Sequence, residues 1–195
     1  RPETETLVET LLLLNSKNPD ELPLRLLEIG TGSGAIAVVA AQEIPNCRVT
    51  ATDYFLEALA VARLNAKNHE VSDKINFVKS DMFLELPIVL YDCIVSNPPY
   101  IQTSGLNDLM TDVIDFEPRS ALDGGNDGLS FYKRIIPEAL SYLKKGGAVV
   151  LEIGETQAKA VTRLFYQEDQ YEEIKVIQDY SGYDRVVSAR KKMYG

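Results

Sequence analysis

Apolar and polar positions follow two periods along this chain, and the switch between them lays out an α/β domain. Short runs of mostly apolar residues, of strand length, recur at residues 25–29, 48–53, 75–79, 91–95 and 148–153. Between them, apolar residues fall three and four apart, which predicts helices over residues 6–15, 35–43, 56–69, 129–144 and 157–166. In the third of these, Leu56, Leu59, Ala60 and Leu64 fall at helical spacing. Strands alternating with helices predict a parallel sheet. Two last strands, residues 173–178 and 184–190, flank Ser181-Gly182-Tyr183 and are expected to pair as an antiparallel hairpin. Gly146-Gly147 is expected to end the fourth helix before the fifth strand begins. A polar excursion over residues 101–127 interrupts the alternation. With no repeat and no low-complexity linker, residues 1–195 form one domain.

Composition narrows this frame. At 195 residues, 45% hydrophobic and 25% charged, the chain can bury one full core. A net charge of −9 opposes a phosphate-tracking surface, so no direct nucleic-acid partner is expected. Cys47 and Cys93 stand alone in apolar surroundings, as buried thiols of a reducing compartment, and no metal site is expected. No apolar run nears the roughly 20 residues that span a bilayer, and no signal peptide is visible. These features predict a soluble, cytoplasmic protein without a membrane partner. The single histidine, His69, ends a polar helix and is expected at the surface.

The first strand runs into Glu28-Ile29-Gly30-Thr31-Gly32-Ser33-Gly34, where alternating glycines let a ligand approach the backbone without a Cβ clash. Gly-x-Gly-x-Gly differs from the dinucleotide fingerprint, and no lysine follows to hold phosphates. An acidic residue about 20 positions on, at the end of the next strand, can accept hydrogen bonds from ribose hydroxyls, and Asp53 stands there. Asp81, after the third strand, is placed to receive an adenine amino group, with the soft thioether of Met82 beside the base. Glu28 is placed to meet the amino group of a methionine moiety.

Asn97-Pro98-Pro99-Tyr100 closes the fourth strand. A planar nitrogen has a delocalised lone pair and attacks a sulfonium methyl poorly. Acceptors for both of its N–H bonds hold it in place and make it more electron-rich. The Asn97 side-chain oxygen and the Pro98 carbonyl are two such acceptors. The prolines stiffen the stretch, and Tyr100 offers a flat face for the planar group. No general base is required, because the proton can leave after methyl transfer.

The segments Arg1-Pro2-Glu3-Thr4-Glu5, Glu28 to Ala37 and Ser96-Asn97-Pro98-Pro99-Tyr100 together resemble the PrmC/HemK peptide chain release factor glutamine methyltransferases. Phe116-Glu117-Pro118-Arg119-Ser120-Ala121-Leu122, Asp127-Gly128-Leu129, Phe131-Tyr132 and Asp184-Arg185-Val186-Val187 extend the resemblance over nearly the whole chain. The tetrapeptide alone is shared with adenine-N6 DNA and some RNA methyltransferases; the combination is specific.

The resemblance implies a seven-stranded, mostly parallel, Rossmann-like sheet of the class I methyltransferase type with an antiparallel C-terminal hairpin. It implies S-adenosyl-L-methionine as methyl donor, giving S-adenosyl-L-homocysteine. The implied target is the side-chain nitrogen of glutamine in the Gly-Gly-Gln loop of class 1 release factors. Carried over by position, Gly30, Thr31, Gly32, Ser33, Gly34, Asp53 and Met82 line the cofactor, joined by Glu28, Asp81 and Asn97. Asn97, Pro98, Pro99 and Tyr100 hold the glutamine. Met82 departs from the family, which often has an aromatic residue there. The family's N-terminal helical docking domain is expected to be missing, since the chain opens without an initiator Met. Two rival activities share the motif: glutamine methylation of a ribosomal protein, and amino methylation of nucleic acid. Glu117 and Arg119 are placed either to pair with each other or to touch the substrate loop. Asp123-Gly124-Gly125-Asn126 is expected to be a flexible turn at the site entrance.

Overall fold

The computed structural model describes residues 3–15, 23–108 and 119–194. Strands β1 (Arg25–Ile29), β2 (Arg48–Asp53), β3 (Ile75–Lys79), β4 (Tyr91–Ser96), β5 (Leu143–Glu152), β6 (Tyr171–Gln178) and β7 (Asp184–Lys191) form one sheet in the order β3-β2-β1-β4-β5-β7-β6. The first five strands run parallel, and β7 is antiparallel to both β5 and β6. This is the predicted architecture. Helices α1 (Glu3–Asn15), α2 (Ala35–Glu43), α3 (Leu56–Asn68), α4 (Ser130–Tyr142) and α5 (Ala158–Gln167) complete it.

Period-two alternation along the strands sorts their side chains into two cores. Leu27, Ile29, Ile94, Leu151 and Ile153 face a cluster with Tyr132, Ile135 and Ile136 of α4 and Val161 and Phe165 of α5. Leu26, Val95 and Val150 face the other, with Leu7 and Leu11 of α1 and the apolar side of α2. Each such fully buried large side chain contributes about 1.5–3 kcal/mol. Strands buried on both faces explain the near-continuous apolar runs that marked them in the sequence. Cys47 and Cys93 are buried and unpaired, and burial pushes both thiols up to about 12, so neither is a reactive nucleophile.

Several boundaries differ from expectation: α1 begins at Glu3 instead of residue 6, β6 at Tyr171 instead of residue 173, and β5 departs furthest. The fourth helix ends at Tyr142, and β5 begins at Leu143, ahead of the glycine pair. Leu143 is already extended and pairs with Tyr91, whereas the next paired residue on β4, Cys93, sits opposite Ala148. Gly146 and Gly147 therefore make a bulge within the strand. A Cβ on Gly147 would lie 2.9 Å from the Lys144 carbonyl oxygen and 3.1 Å from that of Asp92, which only glycine tolerates. The Lys144 ammonium donates to both Asp92 carboxylate oxygens, at 2.7 and 2.9 Å, and holds the bulge to β4.

Candidate active site

Strand order places the site. The chain leaves β1 toward β2 on one side and β4 lies on the other, so the carboxyl ends of β1 and β4 flank a topological switch point. Ile29 pairs with Ser96 and with Thr52, and Ser96 pairs with Leu151. The next residues of these strands are Gly30, Asn97, Asp53 and Glu152, so parallel register alone brings all four to one edge. Ser96 Oγ donates to the Ile29 carbonyl at 2.7 Å and bolts the two central strands together beneath that edge.

The glycine loop is fixed from both sides. Gly30, Gly32 and Gly34 all have positive φ, at 72°, 55° and 82°. A Cβ on Gly34 would come within 2.9 Å of Ala62 Cβ, which makes glycine necessary for the α2–α3 contact. At Gly30 and Gly32 an added Cβ would meet nothing, so those two backbones border open space at the site. Thr31 N–H donates to the Thr52 carbonyl at 2.8 Å, and Asn65 Nδ2 donates to the Ser33 carbonyl at 2.9 Å.

Asp53 is buried, and its carboxylate accepts from Gly32 N–H and Phe55 N–H, each at 2.9 Å. It joins the loop to the start of α3. Glu28 lies deeper, only 1% exposed. Its Oε2 accepts from Thr31 Oγ1 at 2.7 Å, while Oε1 has no hydrogen-bond partner among the described residues. Burial, aided by the nearby Asp53 charge and opposed by the Thr31 hydrogen bond, raises its pKa to about 8. A buried acceptor with no donor is rare in a folded protein and fits a ligand that brings its own N–H. Asp81 sits at the rim, where Arg134 pairs with it at 3.1 Å. Met82 has φ 54° and packs its side chain in the core beside Phe83, so Asp81 is the exposed member of that pair.

Asn97 and Tyr100 are half-buried and Pro98 is buried. Asn97 Nδ2 donates to Thr4 Oγ1 at 3.4 Å, leaving Oδ1 without a hydrogen bond among the described residues. Tyr100 borders a groove of about 480 Å3 whose other walls include Gln102, Leu129, Gly154, Gln157 and Arg185. The glycine loop and residues 97–100 thus lie together at the switch point.

Comparison with known proteins agrees with this geometry. The family model described as methyltransferase small domain matches residues 4–126, well over half of the chain. The chain belongs to that methyltransferase family. Among its relatives is the release factor glutamine methyltransferase of Rhodopirellula baltica, 40% identical over 98% of this chain and 65% of that protein. The protein of the same name from Streptococcus pneumoniae is 43% identical over 96% of this chain and 64% of its own length. The chain therefore spans slightly less than two thirds of these relatives. An S-adenosylmethionine-dependent O-methyltransferase of Thermotoga maritima superposes with TM-score 0.69 at 14% identity, covering 95% of this chain and 64% of that one. At that identity the likeness concerns the fold.

Several contacts around Tyr100 are not legible in the sequence. The turn at residues 123–126 is not a loose entrance: it is a tied platform under the motif. Ile101 N–H donates to the Leu122 carbonyl, Gly124 N–H to the Ile101 carbonyl and Thr103 N–H to the Gly125 carbonyl. Asp123 Oδ1 accepts from Thr103 Oγ1 and Gly125 N–H. Gln157 locks the other side, donating from Nε2 to the Tyr100 and Gly128 carbonyls at 2.9 and 3.1 Å while Oε1 accepts from Gly154 N–H. Phe116, Glu117 and Pro118 lie outside the described residues, as do Arg1 and Pro2, while Arg119 begins a short 3-10 turn. His69 is exposed, as expected.

The platform yields a prediction. A Cβ on Gly124 would lie 2.8 Å from Tyr100 Cα and 2.9 Å from the Pro99 oxygen, both backbone atoms that cannot swing aside. Gly124→Ala should cost about 1–3 kcal/mol of stability from overpacking. Because the clash pushes on the motif itself, turnover should fall further than cofactor affinity does. Thermal unfolding and calorimetry beside a turnover assay measure both; equal turnover in Gly124→Ala and wild type rules out the platform role.

Proposed function

We propose that this domain methylates the side-chain amide nitrogen of glutamine in the Gly-Gly-Gln loop of class 1 peptide chain release factors. The observation that carries the reading is the Asn97 amide, held at the switch point with its oxygen unengaged beside the glycine loop. S-adenosyl-L-methionine would supply an electrophilic methyl group, leaving S-adenosyl-L-homocysteine. Gly30, Thr31, Gly32, Ser33 and Gly34 cradle it, Asp53 takes its ribose, and Glu28 faces its amino group. Asp81 stands at the adenine end, with Met82 reaching it through its backbone while its side chain is held in the core, and Asn97 borders the cofactor as well as the substrate.

The residues of the motif act on the acceptor nitrogen. Asn97 Oδ1 and the Pro98 carbonyl accept its two N–H bonds, which orients the amide and shifts electron density toward nitrogen. Pro99 stiffens the stretch, and Tyr100 stacks on the amide plane. The groove beside Tyr100 suits the chain flanking the glutamine. The relatives named for release factor glutamine methylation support this target over the ribosomal-protein and nucleic-acid alternatives.

Incubation with labelled S-adenosylmethionine and, separately, release factor, ribosomal protein and nucleic acid tests it. Label on the Gly-Gly-Gln glutamine, located by mass spectrometry, is the expected result; label only on ribosomal protein or nucleic acid overturns it.

Asp53 carries a prediction of its own. Asp53→Ala should weaken S-adenosylmethionine binding by the charge-assisted hydrogen bonds lost to the ribose, about 1.5–3 kcal/mol, or roughly 10–100-fold. It should also cost about 1–3 kcal/mol of stability, because Gly32 and Phe55 N–H lose their acceptor. Calorimetry that finds undiminished affinity would reduce Asp53 to a cap for α3.

A further inference from the structure

The tetrapeptide Leu-Glu-Ile-Gly occurs twice, as Leu27-Glu28-Ile29-Gly30 ending β1 and Leu151-Glu152-Ile153-Gly154 ending β5. Both glutamates are fully buried at the same sheet edge, on either side of β4. Glu28 faces the glycine loop. Glu152 stands on the other flank of Asn97, and the proposed cofactor contacts leave it without a role.

Its contacts supply one. Thr4, in the first turn of α1, donates its hydroxyl proton to Glu152 Oε2 at 3.2 Å, and Asn97 Nδ2 donates to the same Thr4 oxygen at 3.4 Å. A hydroxyl has one proton and two lone pairs. With its O–H directed to Glu152 Oε2, the Thr4 oxygen can only accept from Asn97. The NH2 end of the Asn97 amide must then point at Thr4, and the carbonyl end must point the other way. The two ends of an asparagine amide have nearly the same shape, so hydrogen-bond partners decide which way it faces. A flipped Asn97 would present N–H donors to a substrate amide that itself offers N–H, and the nitrogen would lose an acceptor.

We propose that Glu152 and Thr4 are positioning residues that set the polarity of the Asn97 side chain, so that its oxygen faces the nitrogen to be methylated. The inference rests on the glutamine reading of the site. Packing of α1 against α2, β5 and β7 holds Thr4 in reach, and Tyr132 Oη, donating to the Glu152 carbonyl at 2.8 Å, fixes the end of β5.

The test compares Thr4→Ser, Thr4→Val and Glu152→Gln with wild type on release factor and on a Gly-Gly-Gln peptide. Thr4→Ser keeps the hydroxyl and should keep kcat. Thr4→Val matches the shape without the hydroxyl, and Glu152→Gln can turn its NH2 group to the Thr4 oxygen, which frees the hydroxyl proton for the Asn97 oxygen. Both should lose roughly 10–100-fold in kcat, as expected for a misoriented polar contact, with S-adenosylmethionine affinity unchanged. Calorimetry of the peptide in the presence of S-adenosylhomocysteine should show the same ranking without turnover. Combined with Asn97→Ala, Thr4→Val should add little, because it acts through Asn97. Wild-type kcat in both Thr4→Val and Glu152→Gln overturns the inference, and so does full additivity with Asn97→Ala. A wild-type protein that leaves glutamine unmethylated overturns the glutamine reading first, and that control separates the two failures.

Discussion

Asn97→Ala is expected to lower kcat by about 10²–10³ while S-adenosylmethionine binds as before; this is the range for losing one preorganised polar contact to the reacting group. The separation follows from the geometry. Asn97 leaves the sheet at the end of β4 with its oxygen free of hydrogen bonds among the described residues, while the glycine loop, Asp53 and Glu28 belong to β1 and β2. Loss of the side chain removes one acceptor for the substrate amide and leaves the Pro98 carbonyl as the other. Replacement by Asp should restore part of the rate, because a carboxylate still accepts, whereas Leu should behave like Ala. Single-turnover rates with saturating cofactor, together with calorimetry, decide the matter. Equal turnover for Asn97→Ala and wild type removes Asn97 from the chemistry. Parallel losses of turnover and cofactor affinity would make it a cofactor residue only.

The sheet was legible because buried parallel strands carry their signal locally. Each of β1 to β5 ends near a turn or loop, and among these five the largest departure is the start of β5, at Leu143 instead of residue 148. There the cause is local too: a glycine pair reads as a break, yet in this sheet it forms a bulge whose partner, β4, lies some fifty residues upstream. Glu28, Asp53 and residues 97–100 were legible because each directly follows or closes a strand, and parallel register gathers strand ends at one edge.

What the sequence hid depends on contacts between distant segments. Gln157 looks like an ordinary residue at a helix start, and its three loop contacts exist only once β4, β5 and the Gly128 turn are adjacent. Gly124 is one glycine of a polar stretch until the Tyr100 backbone lies against it. Thr4 stands in the opening segment that carried the family resemblance, but its bonds to Asn97 and Glu152 reach residues 93 and 148 positions away. Glu152 did leave a local trace. An acid inside an otherwise apolar strand end, in the same tetrapeptide as Glu28, marks a buried carboxylate whose position needs a reason.

Glu28→Gln should weaken S-adenosylmethionine binding by roughly 10²–10⁴-fold near pH 8, and it should also remove a proton from the binding equilibrium. Glutamine keeps the shape but cannot offset an ammonium, and stripping one partner from a buried ion pair costs about 3–5 kcal/mol. Burial raises the Glu28 pKa to about 8 in the free protein, so at pH 7 the carboxyl is mostly protonated. A free α-amino group titrates near 7.7–8.0 and is mostly cationic at that pH. The bound pair, carboxylate with ammonium, holds one proton where the separate partners held two. Binding at pH 7 should therefore release close to one proton, whereas well above pH 8 it should take one up, and affinity should peak near pH 8. Stability of the free protein follows the same group with a definite sign. Its folded pKa lies above the ordinary 4.5, so its contribution is fully present below that value and is lost as pH rises through about 8. The Tm of ligand-free wild type should fall from pH 5 to 9, and Glu28→Gln should flatten that slope. Calorimetry in two buffers of different ionisation enthalpy measures the proton count directly. Proton release that persists in Glu28→Gln would place the titrating group elsewhere and leave the cofactor's amino group without its assigned partner.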